Sequence, residues 1–122
     1  MTDDLTNMLH FKRRAVSYIA GRLISGRNSS TVFDYAHSAY FNFSGTVSNN
    51  INIYDYARSS YLTGNLNSLY DYGTGHYISF KIQGNQFSGY DYETGSYFNG
   101  TVNGNSITFY DFADGSYNNF SI

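Results

Sequence analysis

The sequence contains no cysteine, no proline and no tryptophan, and charged residues make up only 13% of its 122 residues. Without cysteine the chain has neither a disulfide framework nor a thiolate metal site, so packing and backbone hydrogen bonds must stabilise it. It also has no run of about 18 apolar residues, which excludes a membrane-spanning helix. Because the low charge comes with many aromatic residues, an intrinsically disordered chain is excluded as well.

The N-terminal residues lack the features of a cleaved targeting segment. Asp3 and Asp4 stand where a signal peptide carries positive charge, and the basic run 12–14 interrupts any apolar stretch. We therefore expect no signal peptide, which favours the cytoplasm, although a chain without cysteine is also compatible with export.

Aromatic residues are abundant, at 20% of the chain, and 14 of them are tyrosines. A triplet of aromatic residue, aspartate and aromatic residue occurs five times. Its copies are 33–35, 54–56, 70–72, 90–92 and 110–112. The aspartates are separated by 21, 16, 20 and 20 residues, so the chain is an internal repeat.

The first 28 residues differ from the rest in charge and in periodicity. Residues 1–28 carry five basic side chains and two aspartates, whereas residues 29–122 carry two basic and seven acidic side chains. Apolar residues recur at helical spacing in the first segment. They are Leu5, Met8, Leu9, Ala15, Val16, Ile19, Ala20 and Leu23. This spacing predicts an amphipathic helix from about Asp3 to Ser25, capped by Thr2 or Asp3 and ended by Gly26. The helix should belong to the same domain as the repeats and present one apolar face, with its arginines turned to water or to acidic partners.

Residues 29–122 form the repeat region, and their polar and apolar side chains alternate with a period of two, which predicts β-strands. A two-residue turn at Asp114-Gly115 pairs Phe112 with Tyr117, and equivalent turns in the other repeats pair like residues in the same way. Asn103-Gly104 is typical of a type I′ turn. The pattern therefore predicts about ten antiparallel strands in five hairpins.

The alternation sorts side chains onto two faces of the predicted sheet. One face collects Val32, Phe41, Phe43, Val47, Ile51, Ile53, Leu62, Leu66, Leu69, Ile78, Phe80, Ile82, Phe87, Phe98, Val102, Ile107, Phe109, Phe120 and Ile122. The other face collects 13 of the 14 tyrosines, separated by Ser, Thr and Asn. Because a buried phenol needs a hydrogen-bond partner while an exposed one can bond water, we expect the apolar face to be the core and the tyrosine face to lie outside.

The first and last predicted strands carry no lysine or proline that would block edge pairing. We therefore predict an up-and-down meander that curls into a barrel or a strongly rolled sheet, with the helix plugging the interior or covering the apolar face. The alternative is a parallel β-solenoid with one coil of about 20 residues per repeat. The 16-residue step disfavours the solenoid, because shortening a hairpin by four residues keeps the faces of its strands.

One aspartate per repeat falls between two tyrosine-face positions, so the alternation points all five to the apolar face. This aspartate ring consists of Asp34, Asp55, Asp71, Asp91 and Asp111. Buried carboxylates persist only when they are paired or hydrogen-bonded, which predicts a structural role. We hypothesise a helix–sheet latch, in which the ring is neutralised by Lys12, Arg13, Arg14 or Arg22. The other interpretation is a cation site or a catalytic carboxylate pair.

Motifs of known enzyme classes are missing from the sequence. It has no nucleophile elbow, phosphate-binding loop, zinc-protease motif or dinucleotide fingerprint. His10, His37 and His76 do not have the spacing of metal ligands. We therefore expect a protein that is not an enzyme and that holds no metal or cofactor.

Two functions fit a non-enzymatic repeat of this composition. Low charge and unprotected strand edges favour a structural or self-associating protein, as a homo-oligomer. Alternatively, the outer tyrosine face, with its Asn, Ser and Thr, suits stacking on sugar rings or on another small ligand. The candidate residues for such a face are Tyr54, Tyr56, Tyr61, Tyr70, Tyr72, Tyr90, Tyr92, Tyr97 and Tyr110.

A third class of function would use the basic helix against a membrane surface or a nucleic acid. The apolar stripe of the helix is needed for the core, however. The repeat region offers phosphates only Arg58 and Lys81, too few for a groove that follows a nucleic-acid backbone. We therefore do not expect nucleic acid as a partner.

Overall fold

The computed structural model describes residues 8–122. In these residues a helix, α1 (His10–Ser25), precedes ten strands. The strands are β1 (Thr31–Asp34), β2 (Ala39–Val47), β3 (Asn50–Asp55), β4 (Ser60–Asn65), β5 (Ser68–Asp71), β6 (His76–Gln83), β7 (Gln86–Asp91), β8 (Ser96–Asn103), β9 (Ser106–Asp111) and β10 (Ser116–Ser121). Each repeat is one hairpin, from repeat 1 (β1 and β2) to repeat 5 (β9 and β10), so the mainly β fold with five hairpins is confirmed.

The ten strands form a closed barrel. Each strand pairs antiparallel with its neighbours in the chain, and β10 returns to β1, where Phe33 lies opposite Ser121 and Asp34 opposite Phe120. Every strand of the described chain therefore has two partners, and no edge remains for another chain to pair with. The predicted meander and its closure are confirmed, and the parallel solenoid is wrong.

The register within the hairpins differs from the predicted one by two residues. Tyr110 pairs with Tyr117, in place of the predicted pair of Phe112 with Tyr117. The turn has four residues because Asp111 closes it: its carbonyl accepts the Gly115 N–H at 2.9 Å, and its Oδ1 accepts the N–H two residues on at 2.9 Å. A shift of two residues leaves every side chain on its predicted face.

Two connections at the opposite end of the barrel are two-residue turns. Gly84-Asn85 joins β6 to β7, and Gly104-Asn105 joins β8 to β9, where Asn103 pairs with Ser106. Gly104, the first loop residue, has a φ of +60°, whereas the φ of Asn105 is not positive, and this combination is typical of a type II′ turn. The predicted type I′ turn at Asn103-Gly104 is therefore wrong by one position.

The interior of the barrel is the predicted apolar face. Of the apolar residues predicted for the core, most are buried, and Phe41, Val47, Ile82 and Ile122 are partly buried against them. Leu66 is the exception, with 36% of its surface exposed. It lies in the bend between β4 and β5, beyond the end of the strand pairing, where the two-residue alternation no longer applies.

Helix α1 lies inside the barrel. Residues 12–21 are all buried, and a run of this length covers every side of a helix with 3.6 residues per turn. The helix contacts β1, β2, β8, β9 and β10, and Tyr18 stacks on Phe43 with ring centroids 4.5 Å apart. The expectation of a helix with a single buried face is wrong, because ten strands enclose a lumen that the helix fills.

The described part of the helix begins later than predicted. Leu9 precedes it with an extended backbone, and Met8 is not helical. The predicted caps, Thr2 and Asp3, lie outside the described residues. The predicted end is confirmed, since Gly26 terminates the helix with a left-handed φ of +75°.

Candidate functional site

The aspartate ring lies buried at the barrel end where the hairpins turn. Each aspartate is the last residue of β1, β3, β5, β7 or β9 and is at most 2% exposed. In each, Oδ1 accepts the backbone N–H two residues later, at 2.8–3.2 Å. The carboxylate therefore holds its own turn in shape, and each aspartate also pairs with a cation.

Asp111 has the most extensive set of partners. Arg13 donates to Asp111 Oδ2 through Nε at 3.2 Å and through Nη2 at 2.7 Å. The Met8 N–H donates to the same oxygen at 2.8 Å, and Asp114 lies 3.1 Å from Arg13 Nη2. This carboxylate thus anchors the chain just before α1 as well as the helix itself.

Two further helix cations reach the ring. Lys12 Nζ lies 3.0 Å from Asp91 Oδ1 and 2.5 Å from Glu93 Oε1. Arg14 donates through Nε and Nη2 to Asp34 Oδ2, at 3.3 Å each. Three consecutive side chains of α1 therefore spread to three different repeats, which places the start of the helix at the centre of the ring.

The fourth residue of the hypothesised latch lies elsewhere. Arg22 donates to the hydroxyl of Tyr18 at 3.2 Å and to Oδ1 of Asn28 at 2.8 Å. It is two helical turns further along α1 than Arg14, toward the opposite end of the barrel, so it does not reach any aspartate of the ring. Arg22 contacts the helix and the linker that follows it.

Arg58 completes the ring, and the sequence interpretation did not assign it this role. Its Nε donates to Asp55 Oδ2 at 3.0 Å and its Nη1 donates to Asp71 Oδ1 at 2.8 Å, so one guanidinium bridges repeats 2 and 3. The guanidinium also lies over the ring of Phe11, 4.1 Å from its centroid. The sequence signal for the pair with Asp55 was the position of Arg58 three residues later, because this spacing lets the side chain reach back across the hairpin turn.

Two groups near Asp34 have shifted pKa values. Burial, followed by the charges of His37 and Arg13, lowers the pKa of His10 from its usual 6.5. Burial also lowers the pKa of Arg14, and Asp34 opposes that shift. His37 Nδ1 lies 2.8 Å from Asp34 Oδ2, and the rings of His10 and His37 meet edge to face at 4.6 Å.

The ring offers little free capacity for a ligand. Among the described residues, no three His, Asp or Glu side chains are grouped so that they could hold a metal ion. Asp71 Oδ2 and Thr74 Oγ1 have no hydrogen bond in this part of the chain. The equivalent threonine of repeat 4, Thr94, donates to Asp91 Oδ2 at 2.9 Å, so a rotation of Thr74 would satisfy both atoms.

The outer surface carries the same three-ring cluster in every repeat. A central, partly buried ring contacts the ring two residues later and the ring opposite it on the next strand, with centroids 4.7–5.0 Å apart. The clusters are Phe33–Tyr35–Tyr40, Tyr54–Tyr56–Tyr61, Tyr70–Tyr72–Tyr77, Tyr90–Tyr92–Tyr97 and Tyr110–Phe112–Tyr117. The two outer rings of each cluster are 51–72% exposed.

Shallow clefts lie between neighbouring clusters, and each is flanked by one exposed ring from either side. One is lined by Asn52, Ser59, Ser60, Tyr61, Thr63 and Tyr72, and the next by Ser68, Gly75, His76, Tyr77 and Tyr92. We call these the inter-repeat clefts. Their walls are aromatic and their lining carries hydroxyl, amide and imidazole groups.

Three of the five junctions between repeats have the same backbone geometry. The N–H of the later residue donates to the carbonyl of the earlier one in Tyr61–Tyr72, Tyr77–Tyr92 and Tyr97–Phe112, at 3.1–3.2 Å. At the other two junctions, Tyr56 donates to Asn42 and Tyr35 donates to Asn119, two residues further along the strand. The strand register is therefore shifted by two residues at both junctions of repeat 1. The three junctions that connect repeats 2, 3, 4 and 5 are equivalent to one another.

All nine tyrosines predicted for the binding face lie on the outside of the barrel. Tyr54, Tyr70, Tyr90 and Tyr110 are the centres of their clusters, and the other five are exposed. The prediction left out exposed rings at equivalent positions, which are Tyr35, Tyr40, Tyr77, Phe112 and Tyr117. The internal repeat could have predicted these five exposed rings, because each lies at a position where another repeat has one of the nine predicted tyrosines.

A comparison of the chain with protein-family models, curated proteins and solved structures finds no match. Within residues 8–122, no helix is long and apolar enough to cross a bilayer. The described residues contain two candidate regions for function, the aspartate ring, which faces inward, and the inter-repeat clefts, which face solvent.

Proposed function

We propose that this protein is a non-enzymatic binding module that recognises carbohydrate through its inter-repeat clefts. One observation carries the proposal: at two neighbouring junctions, two exposed aromatic rings flank polar side chains, which are hydroxyls and an amide in one cleft and a hydroxyl and an imidazole in the next. The faces of a sugar ring present C–H groups that pack on an aromatic ring, while its hydroxyls need donors and acceptors beside that ring.

The rings are held in place before any ligand arrives. Tyr61 packs against the central ring Tyr54 at 4.9 Å, and Tyr72 packs against Tyr70 at 4.8 Å. A ring that is already ordered loses little side-chain entropy on binding. Because the strands of a closed barrel support both walls, the distance across the cleft is also set in advance.

The charge of the outer face favours a neutral ligand. Residues 29–122 contain one arginine and one lysine, Arg58 and Lys81. Because Arg58 pairs with the buried aspartate ring, Lys81 is the one of the two that lies on the outer surface. A single lysine gives little attraction for a polyanion. Neutral oligosaccharides therefore fit the clefts better than nucleic acids or highly sulfated glycans.

The test is a titration of the full chain, labelled with ¹⁵N, with a panel of neutral mono- and oligosaccharides at millimolar concentration. We expect chemical-shift changes at Tyr61, Tyr72, Tyr77 and Tyr92, with a Kd of about 1 mM, which corresponds to a binding free energy of about −4 kcal/mol. Tyr61→Ala should abolish the changes around its own cleft and leave those around Tyr77 intact. Lys81→Ala, on the outer face away from these rings, is the matched control.

The absence of any shift change across the panel would contradict a carbohydrate function. Changes that survive Tyr61→Ala and Tyr77→Ala unaltered would contradict the assignment to the clefts. Shifts that appear only in Lys81→Ala, and not in the unaltered chain, would also count against it.

Self-association is the second candidate, because ten exposed rings surround the barrel and large exposed aromatic surfaces mark interaction sites. Closure of the barrel removes strand-edge pairing as its route, so the rings would have to form the contact. Sedimentation velocity over a wide concentration range separates the two candidates. A mass that rises with concentration and falls back to the monomer in Tyr61→Ser and Tyr77→Ser would favour self-association.

A further inference from the structure

We propose that Lys12 and Asp91 condense to an isopeptide bond, which ties the buried helix covalently to the barrel, and that Glu93 transfers the protons. This inference concerns the interior of the molecule and is independent of the binding function proposed for its surface. It assigns a covalent modification to one of the five aspartates of the ring.

The three groups meet in the interior. Lys12 Nζ lies 3.0 Å from Asp91 Oδ1 and 2.5 Å from Glu93 Oε1. The side chains of Lys12 and Asp91 are 0% exposed, and that of Glu93 is 19% exposed. The nitrogen is therefore held in contact with the carboxyl group whose Cγ it would attack, and both side chains are shielded from bulk water.

A comparison among the five repeats singles out this site. The other four aspartates of the ring pair with Arg13, Arg14 or Arg58, and a guanidinium is always charged and is a poor nucleophile. Among residues 8–122, Asp91 is the one ring aspartate that has a primary amine as its cation. The residue two positions after the aspartate is Ala36, Ala57, Gly73 or Ala113 in the other repeats and Glu93 here. Repeat 4 thus combines nucleophile, electrophile and base.

The condensation is balanced without any further reagent. The Lys12 ammonium gives one proton to Glu93, and the resulting amine attacks Cγ of Asp91 to form the N–Cγ bond. Glu93 passes that proton, and then a second one from the nitrogen, to the departing carboxyl oxygen. The Cγ–O bond breaks and one water leaves. Glu93 ends as it began, and the products are an amide and water.

The surroundings of Asp91 favour the tetrahedral intermediate. The Glu93 N–H donates to Asp91 Oδ1 at 3.2 Å, and Thr94 Oγ1 donates to Asp91 Oδ2 at 2.9 Å. Donors already in place at both oxygens stabilise the charge that develops there. The product also replaces a buried ammonium and a buried carboxylate by a neutral amide, which removes most of the cost of keeping two charges out of water.

The test is the intact mass of the purified full chain, measured under denaturing conditions by mass spectrometry. We expect a mass lower than that of the sequence by one water, and a branched proteolytic peptide that joins the segment around Lys12 to the segment around Asp91. Glu93→Gln and Lys12→Arg should have the full mass. Asp91→Asn should lose one ammonia, because the leaving group is then an amide nitrogen.

An unaltered chain with the full mass of its sequence would overturn the proposal, whatever the variants do. A loss of water that maps to Asp114-Gly115, where a succinimide can form, would overturn it equally. If Glu93→Gln keeps the lower mass and the branched peptide, the bond stands but the role of Glu93 is wrong. Near-ultraviolet circular dichroism of each variant shows whether it has folded, so a full mass is interpreted only for folded chains.

Discussion

At the residue scale, one backbone position per repeat controls how its hairpin turns. The last residue of each four-residue turn adopts a left-handed φ, and in repeats 3, 4 and 5 it is Gly75, Gly95 or Gly115, with φ of +74°, +71° and +69°. In repeats 1 and 2 the same position is held by Ser38 and Ser59, with φ of +49° and +51°. A side chain in this region costs about 1–2 kcal/mol, which glycine avoids.

Replacing Ser59 by glycine should therefore stabilise the protein. We expect Ser59→Gly to raise the free energy of unfolding by about 0.5–1 kcal/mol, because the relief of left-handed strain exceeds the entropy that glycine adds to the unfolded chain. Urea denaturation followed by circular dichroism measures the difference. The reciprocal control, Gly95→Ser, should lower the free energy of unfolding by a similar amount. Equal stability of all three chains would show that the backbone is not strained at Ser59.

At the element scale, the helix and the barrel are joined by complementary charge. The start of α1 presents Lys12, Arg13 and Arg14 to the aspartate ring, and none of these cations is more than 6% exposed. Buried charges of this kind stabilise a fold only as long as each keeps its partner. The arrangement also explains why the charge of the chain is divided, with the excess of cations in the helix and the excess of carboxylates in the strands.

The double substitution Arg13→Gln with Arg14→Gln tests this latch. It leaves Asp111 and Asp34 buried without their guanidinium partners, so we expect a loss of at least about 3–5 kcal/mol in the free energy of unfolding. The melting temperature measured by calorimetry should fall accordingly. Arg27→Gln, at an exposed position after the helix, should change the free energy of unfolding by no more than about 0.5 kcal/mol. A double variant as stable as Arg27→Gln would rule out a stabilising latch.

At the scale of the whole molecule, the helix and the strands share one core. Tyr18, Ile19 and Ala20 of the helix are packed in the same buried cluster as Phe43 and Phe109 of the strands. A barrel without the helix would therefore enclose an empty apolar lumen, and Asp34, Asp91 and Asp111 at one end would lose their helix cations. Neither part has a complete core of its own.

The full chain should consequently unfold in one step. We expect thermal transitions followed by near- and far-ultraviolet circular dichroism to coincide, as they do for a single cooperative domain. A chain of residues 29–122 should lack the near-ultraviolet signal of packed tyrosines and should bind a hydrophobic dye. A cooperative transition with a native-like near-ultraviolet spectrum for residues 29–122 alone would show that the strands form an independent domain.

Local patterns accounted for most of the fold but not for its register. The alternation of side chains placed Phe109 inside and Tyr110 outside correctly, because sidedness depends only on whether a position is odd or even along the strand. The turn prediction failed by two residues because the closure by Asp111 uses its backbone carbonyl as well as its side chain. That choice between a two-residue and a four-residue turn is not visible in a dipeptide such as Asp114-Gly115.

The candidate sites were predictable to different degrees. The aspartate ring and three of its cations follow from the repeat and from the charge of the helix. Arg58 was missed as a partner of Asp71, because that ion pair joins two repeats and depends on how neighbouring hairpins are aligned. The inter-repeat clefts depend on the same alignment, which brings Tyr61 beside Tyr72 across a repeat boundary.

The sequence by itself determined the repeat, the sidedness of the strands and the need to satisfy five buried carboxylates, since all three depend on residue type and on spacing along the chain. Only the tertiary structure decided that the sheet closes completely, that the helix fills the lumen and that the register steps at repeat 1. These properties depend on the number of strands in the barrel and on its shear, which is the total shift in register around it. No local stretch of sequence specifies this global geometry.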